Sequence, residues 1–182
     1  MSSSDRSFAG LRRAALVVVL LALPFAAACT VKPLHSNPSS GRAQAGVTAD
    51  LSSIAIKPVD QRSAQQVRNH LIFLFNRGAG QPSAAAYTLT LVVTAIHQSA
   101  AVVQVGDDNE PTAGTVTLTG HYSLAVTSSG EVAASGRRQI TSSYDVPRQE
   151  FAAYRARLNG EDRAARDLAE LLNLAIAQQL SK

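Results

Sequence analysis

Tryptophan is absent from the chain, cysteine and methionine occur once each, and aromatic residues make up only 5% of its 182 residues. So thin an aromatic content offers no evident platform for stacking sugars or bases. The lone cysteine, Cys29, excludes an intramolecular disulfide. No H-E-x-x-H, C-x-x-C or G-x-S-x-G occurs, and the four histidines, His35, His70, His97 and His121, have no metal-ligand spacing to one another. They read as structural or surface histidines. Asp107, Asp108 and Glu110 lack the EF-hand pattern and read as a solvated loop. Gly78-Ala79-Gly80 lacks the strand–turn–helix setting of a phosphate loop. The expectation is a protein without catalysis, metal or cofactor. A long apolar run is missing as well: Ala14 to Leu23 is too short for ~30 Å of hydrocarbon, which takes about 20 residues.

That short run nevertheless sits in an informative frame. Arg12 and Arg13 precede it, Pro24 breaks it, and Ala26, Ala27 and Ala28 lead into Cys29. A basic start, a short apolar stretch and small residues make a secretory signal peptide over residues 1–28. Ala26-Ala27-Ala28-Cys29 resembles the lipobox of bacterial lipoproteins. In that family the thiol receives a diacylglycerol, the chain is cut before the cysteine, and the new amine is acylated. The resemblance implies lipidation at Cys29 and a membrane anchor; three acyl chains hold far more firmly than one. Thr30 stands where an aspartate retains such proteins in the inner membrane, which implies the outer membrane.

Without Arg6, Arg12, Arg13 and Asp5 the formal charge falls from +4 to +2, so most of the basicity belongs to the targeting segment. A weakly cationic domain suits a partner bearing phosphates or anionic lipid, and export argues against nucleic acid. Residues 29–50 hold the cysteine and a segment rich in Pro, Ser, Gly and Ala that reads as a flexible tether. Residues 51–182 are long enough for one domain with a real core.

Within that domain Leu51–Val59 reads as a short strand ending at Pro58. Val67, Leu71, Leu74 and Phe75 predict a helix over 63–77, with Ser63 and Gln66 as a capping box and Arg77-Gly78 as its stop. Tyr87, Leu89, Leu91 and Val93 alternate with threonines in a half-solvated strand over 87–96, and 99–105 predicts a second. A polar loop over 106–114 follows, then a strand over 115–127. There Val116, Leu118, Tyr122, Leu124 and Val126 share one face, with Gly120 among them, and Thr115, Thr117, Thr119 and His121 the other. Ser128-Ser129-Gly130 turns the chain into a return strand over 131–144, on which either a bulge near Gly136 re-aims the arginines or Arg138 lies at the sheet rim. Phe151, Tyr154 and Leu158 open a helix that Asn159-Gly160 interrupts, and an apolar stripe from Ala164 to Leu180 completes it. The fold class is α+β: two helices on one face of a mostly antiparallel, four- to five-stranded sheet in the order β-α-β-β-β-β-α.

Arg137 and Arg138 form the most prominent charge pair on the sheet. One of them could meet a phosphate or carboxylate through bidentate hydrogen bonds. The competing reading is a charged residue protecting an edge strand.

Several pieces resemble, in order, the lipopolysaccharide-assembly lipoproteins of the LptE type. These are Cys29, Pro33 and Leu34 at the mature start; Ile54, Ile56 and Pro58; Arg62, Gln65, Arg68, Asn69 and Leu71; Tyr87-Thr88-Leu89; Tyr122-Ser123-Leu124; and Phe151-Ala152-Ala153 before an Arg/Ala-rich helix. The resemblance implies an outer-membrane lipoprotein that plugs and supports the LptD β-barrel and assists lipopolysaccharide assembly. LptD-like barrels and lipopolysaccharide are then the partners, with Arg137 and Arg138 as candidate contacts. Two other classes fit the same anchored domain: an auxiliary subunit of an ABC-type lipid transporter, and a general envelope-binding lipoprotein.

Overall fold

The computed structural model describes residues 50–105 and 108–181, with the backbone path alone described across 101–111. The signal peptide, Cys29 and most of the tether lie outside the described residues.

Four strands and two helices follow one another in the described residues: β1 (Ile54–Ile56), α1 (Arg62–Asn76), β2 (Tyr87–Val105), β3 (Asp108–Val126), β4 (Val132–Asp145) and α2 (Glu150–Leu180). The sheet order is β1-β2-β3-β4, with β1 parallel to β2 and the other pairs antiparallel. The α+β class and the four-stranded, mostly antiparallel sheet agree with the sequence.

Four expectations about strand and helix continuity do not survive. The two strands expected over 87–96 and 99–105 are one, because nothing between them breaks extended backbone; the irregularity is a register shift around Ala100. The acidic stretch expected as a loop is strand from Asp108 onward, opposite Val105, which leaves Asp107 outside the described residues. The β4 bulge lies at its start, where Leu124 pairs with Ala134 and Ala125 with Val132, and Gly136 is regularly paired with Tyr122. Finally, α2 runs through Asn159-Gly160 without a break for 31 residues, about 46 Å.

Alternation decides which side of the sheet is dry. Leu89, Leu91 and Val93 from β2 and Val116, Leu118, Tyr122 and Leu124 from β3 are buried on the helix side. Val67, Leu71 and Phe75 of α1 and Leu168, Leu172 and Ile176 of α2 close that core. Gly120 has a packing role in it: a Cβ there would lie 3.3 Å from both Leu168 Cδ2 and Leu172 Cδ1. The missing side chain lets two leucines of α2 reach the centre of β3.

The start of α1 is held differently from a capping box. Its N-cap is Gln61, which makes no side-chain cap hydrogen bond, and Ser63 is buried inside the first turn. Instead Gln65 Nε2 donates to the Asp60 carbonyl at 3.2 Å, and Arg68 Nε donates to Lys57 O at 3.1 Å. Two α1 side chains thus bind the carbonyls of the connection after β1, satisfying groups the short strand leaves open. At the other end Arg77 (φ 50°) and Gly78 (φ 88°) give the left-handed stop expected from the sequence. Among the described residues no helix is long and apolar enough to cross a membrane.

Candidate functional site

The sheet face away from the helices carries no packed layer among the described residues, and its chemistry is polar. Cross-strand rows run across it: Thr90–Ser123–Ser135, Val92–His121–Arg137, Thr94–Thr119–Gln139 and Ile96–Thr117–Thr141. Threonine dominates because β-branched residues fit extended backbone while their hydroxyls remain usable. Thr117 and Thr141 share a hydrogen bond at 2.9 Å, as do Thr88 and Thr127 at 3.0 Å. Val92 and Ile96 interrupt the polarity, each 56% exposed. The face is therefore a hydroxyl-lined surface, with Thr119 buried within it and Val132, opposite Ala125 and 58% exposed, as a third apolar side chain.

Arg137 and Arg138 are adjacent, so the pleat sends them to opposite sides. Arg137 lies on the open face opposite His121, and its Nη2 donates to Gln139 Oε1 at 2.9 Å. That same oxygen accepts from Thr119 Oγ1 at 3.3 Å, which orients the arginine among neutral groups. Arg138 shares the helix-side register with Ala134 and Ile140, opposite Gly120, and its Nη1 donates to the Arg137 carbonyl at 2.8 Å. No carboxylate among the described residues pairs with either guanidinium. The structure separates the pair: Arg137 belongs to the open face, whereas Arg138 borders the core.

Beside Arg138 lies Tyr122, buried with its hydroxyl donating to Gln179 Oε1 at 3.3 Å. Gln179 Nε2 in turn donates to the Ser135 carbonyl at 3.1 Å, tying the end of α2 to the start of β4. Burial raises the Tyr122 pKa above its ordinary value of 10.0, against lowering contributions from Arg138 and the Gln179 hydrogen bond.

One cluster was not foreseen in the sequence. Arg62 of α1 donates to Asp162 Oδ1 at 2.8 Å and to Glu161 Oε2 at 3.3 Å, and the other Glu161 oxygen faces His97 Nε2 at 3.3 Å. It joins α1, α2 and β2 across nearly 100 residues of sequence separation, so no local spacing announces it. His97 is accordingly a structural histidine. His35 lies outside the described residues. No group of His, Cys, Asp and Glu among the described residues could hold a metal ion.

No protein-family model matches the chain, and no curated protein matches it in sequence. Solved structures do. A crystal structure from Caulobacter crescentus CB15, described as that of a candidate lipoprotein, is 27% identical, covers 75% of this chain and 96% of its own, and superposes with a TM-score of 0.61. The rare lipoprotein B of Shewanella oneidensis is 13% identical, with 69% and 92% covered and a TM-score of 0.49. A minor lipoprotein of Acinetobacter baumannii is 14% identical, with 69% and 88% covered and a TM-score of 0.47. The Caulobacter likeness gives this chain a fold found in bacterial lipoproteins, covering nearly that protein's full solved length.

Proposed function

We propose that the protein is a lipid-anchored outer-membrane lipoprotein, non-catalytic, whose domain lies in the lumen of an LptD-like β-barrel and assists lipopolysaccharide assembly there. The observation that carries this reading is the open sheet face. Antiparallel sheets commonly leave one face to water, and here that face is an extended surface, free of helices among the described residues, on which a partner can lie. Its threonines, serines and Arg137 match the polar interior of a transmembrane barrel, where inward-facing residues are hydrophilic. Their short side chains let two extended surfaces approach closely and exchange hydroxyl hydrogen bonds. The lipobox resemblance at Cys29, the ordered series of LptE-like pieces and the lipoprotein fold support the same reading.

The test is purification of the tagged, full-length protein from outer membranes in mild detergent. A large β-barrel protein recovered in stoichiometric amount is the expected result, with surface lipopolysaccharide falling when the lipoprotein is depleted. Recovery of an ABC transporter instead would move the protein to the auxiliary-subunit class. Substituting Cys29 by Ser should abolish palmitate labelling, and labelling that persists would refute the anchor.

A further inference from the structure

The sheet guards its edges unevenly. On β4 the carbonyls of Ser135, Arg137 and Ser143 alternate away from β3, and each already accepts from a side chain: Gln179, Arg138 and Arg163 respectively. Arg137 and Arg138 add charge along the same strand. On β1 the Ile56 N–H donates to Gln81 Oε1 at 2.6 Å, and the Ile56 carbonyl accepts from Arg68. These side chains occupy backbone groups that an added strand would need. β2 is different. Its pairing with β1 ends at Leu89, whose carbonyl accepts from the Lys57 N–H at 3.0 Å, and among the described residues no strand lies beside it beyond that point.

From Thr94 to Ser99 every residue of β2 is exposed. No Asp, Glu, Lys, Arg, Pro or Gly occurs from Val92 to Val105. An uncharged, uninterrupted edge of this kind is a template for another strand. Alternation fixes which groups it offers. Leu89 turns its carbonyl toward β1, so the N–H and C=O of Val93, Ala95, His97 and Ser99 aim outward, whereas Thr94, Ile96 and Gln98 bond to β3. The register irregularity after Ser99 ends the flat run and turns the upper hairpin off its line.

We infer that the run Val93–Ser99 pairs antiparallel with the same run of a second copy of this chain, forming an isologous dimer with Ile96 on the two-fold axis. Centring on Ile96 sets Val93 of one copy against Ser99 of the other and Ala95 against His97, so outward residues oppose outward residues and about eight backbone hydrogen bonds form. Ile96 then meets Ile96 of the other copy in a narrow, non-hydrogen-bonded pair, with Thr94 and Gln98 opposed on either side. That contact gives an apolar partner to a side chain left 56% exposed on a hydroxyl-lined face. The lack of charge is what suits the run to itself, since like charges directly opposite would repel. With the β1 and β4 edges guarded, each copy offers one such edge, so the pairing closes as a dimer and does not propagate. A seven-residue edge is smaller than a standard interface, which makes the dimer weak and concentration-dependent. The inference goes beyond the barrel reading and does not rest on it.

Sedimentation of the full-length protein in mild detergent should show its mass rising from one protomer to two with concentration. Ile96→Lys brings two ammonium groups together at the axis and should raise the dissociation constant roughly tenfold or more. Its thermal transition should be unchanged, because the position is exposed. Val132→Lys, on the same face but on β4, should leave the dissociation constant within a factor of about two. Ile96→Cys should yield an oxidised dimer, since the narrow pair has a Cα separation that suits a disulfide. Thr94→Cys and Gln98→Cys, each alone, should not, and the wild type with Cys29 sets the background. A monomer up to about 1 mM overturns the inference, because a contact worth about 4 kcal/mol would already be populated there. A dimer indifferent to Ile96→Lys, or cross-linked as readily through position 94, overturns it as well. If the wild type is monomeric and Ile96→Lys instead releases a barrel protein, the edge belongs to that protein and the inference fails. Absence of any barrel protein with the dimer intact would overturn the barrel reading alone.

Discussion

The ring of Tyr144 fills the space that a side chain on Gly160 would need: a Cβ at Gly160 would lie 3.0 Å from Tyr144 Cδ1 and 3.3 Å from its Cβ. On its other side the ring covers Gly114, its cross-strand partner, where a Cβ would be 2.6 Å from Cζ. One tyrosine therefore sits between two backbones, and this is why α2 passes through Asn159-Gly160 uninterrupted. A glycine in a helix ordinarily costs about 1 kcal/mol relative to alanine, so an exposed Gly→Ala would stabilise. Here the clash involves the Tyr144 Cβ, which cannot swing away. Gly160→Ala is expected to be destabilising by about 1 kcal/mol net, read as a lowered urea midpoint, since overpacking costs about 1–3 kcal/mol. Combining it with Tyr144→Ala should recover the helix-propensity gain, giving a non-additive cycle. A raised midpoint for the single variant would contradict this packing.

Tyr122 repeats the arrangement on β3, covering Gly136 of β4, where a Cβ would lie 2.8 Å from its hydroxyl. Its raised pKa has a definite sign for stability. The unfolded chain releases the phenolic proton near 10.0, whereas the folded chain holds it to higher pH. The contribution is thus complete below pH 10 and is lost as pH rises through 10 toward the folded value. Chemical denaturation across this alkaline range should show the wild type losing stability more steeply than Tyr122→Phe. In absorbance titration of the four tyrosines, one should ionise late. Parallel slopes for the two proteins would remove the burial argument.

These two tyrosine–glycine pairs also mark what the sequence could and could not disclose. Period-two alternation in Tyr87–Val93 and Thr115–Val126 announced the strands, their dry face and the threonine face directly. Helical spacing announced Val67, Leu71 and Phe75 in the same way. Glycines were the least legible: Gly160 looked like a break and Gly136 offered a bulge as one of two readings, because their reason is a ring supplied by another element. The same holds for Arg62, whose carboxylate partners are about 100 residues away. Phe151 and Tyr154 carried core-like spacing, yet both are exposed because they precede Gly160, the first residue of α2 to be buried.

Arg62 makes a measurable case of such a remote pair. Its side chain is 43% exposed, so each ion pair taken alone is worth little, whereas Glu161 is only 12% exposed and depends on Arg62 and His97 for compensation. Arg62→Ala is expected to cost about 1 kcal/mol at low salt, chiefly by leaving Glu161 under-paired. Adding Glu161→Gln should restore part of that loss. Equal destabilisation in the single and double variants would show that Arg62 acts through packing alone.

Asn173 is the converse, a polar side chain buried on α2 whose carbonyl oxygen, Oδ1, lacks a hydrogen-bond partner among the described residues. An apolar side chain of similar shape avoids that desolvation penalty, about 1–3 kcal/mol. Asn173→Leu is therefore expected to raise the thermal midpoint, and Asn173→Ala to raise it less because it leaves a void. If the leucine variant melts earlier, the amide has a partner that matters.

The last prediction turns on the pleat. Arg137 and Arg138 are neighbours in sequence with the same charge, yet one stands on the open threonine face and the other borders the core beneath α2. A partner attracted only by net charge would respond alike to their loss. A partner seated on the open face would not. Arg137→Glu places a carboxylate opposite His121, where it is tolerated in the isolated domain but opposes any acceptor-rich surface laid on that face. Recovery of the barrel protein with Arg137→Glu should drop roughly tenfold, about 1.4 kcal/mol. Arg138→Glu, the same change of charge, should leave recovery within a factor of about two, as expected for a residue outside the contact. Urea midpoints for both variants separate folding from binding. Equal losses of recovery, or a larger loss with Arg138→Glu, would place the partner somewhere other than the threonine face.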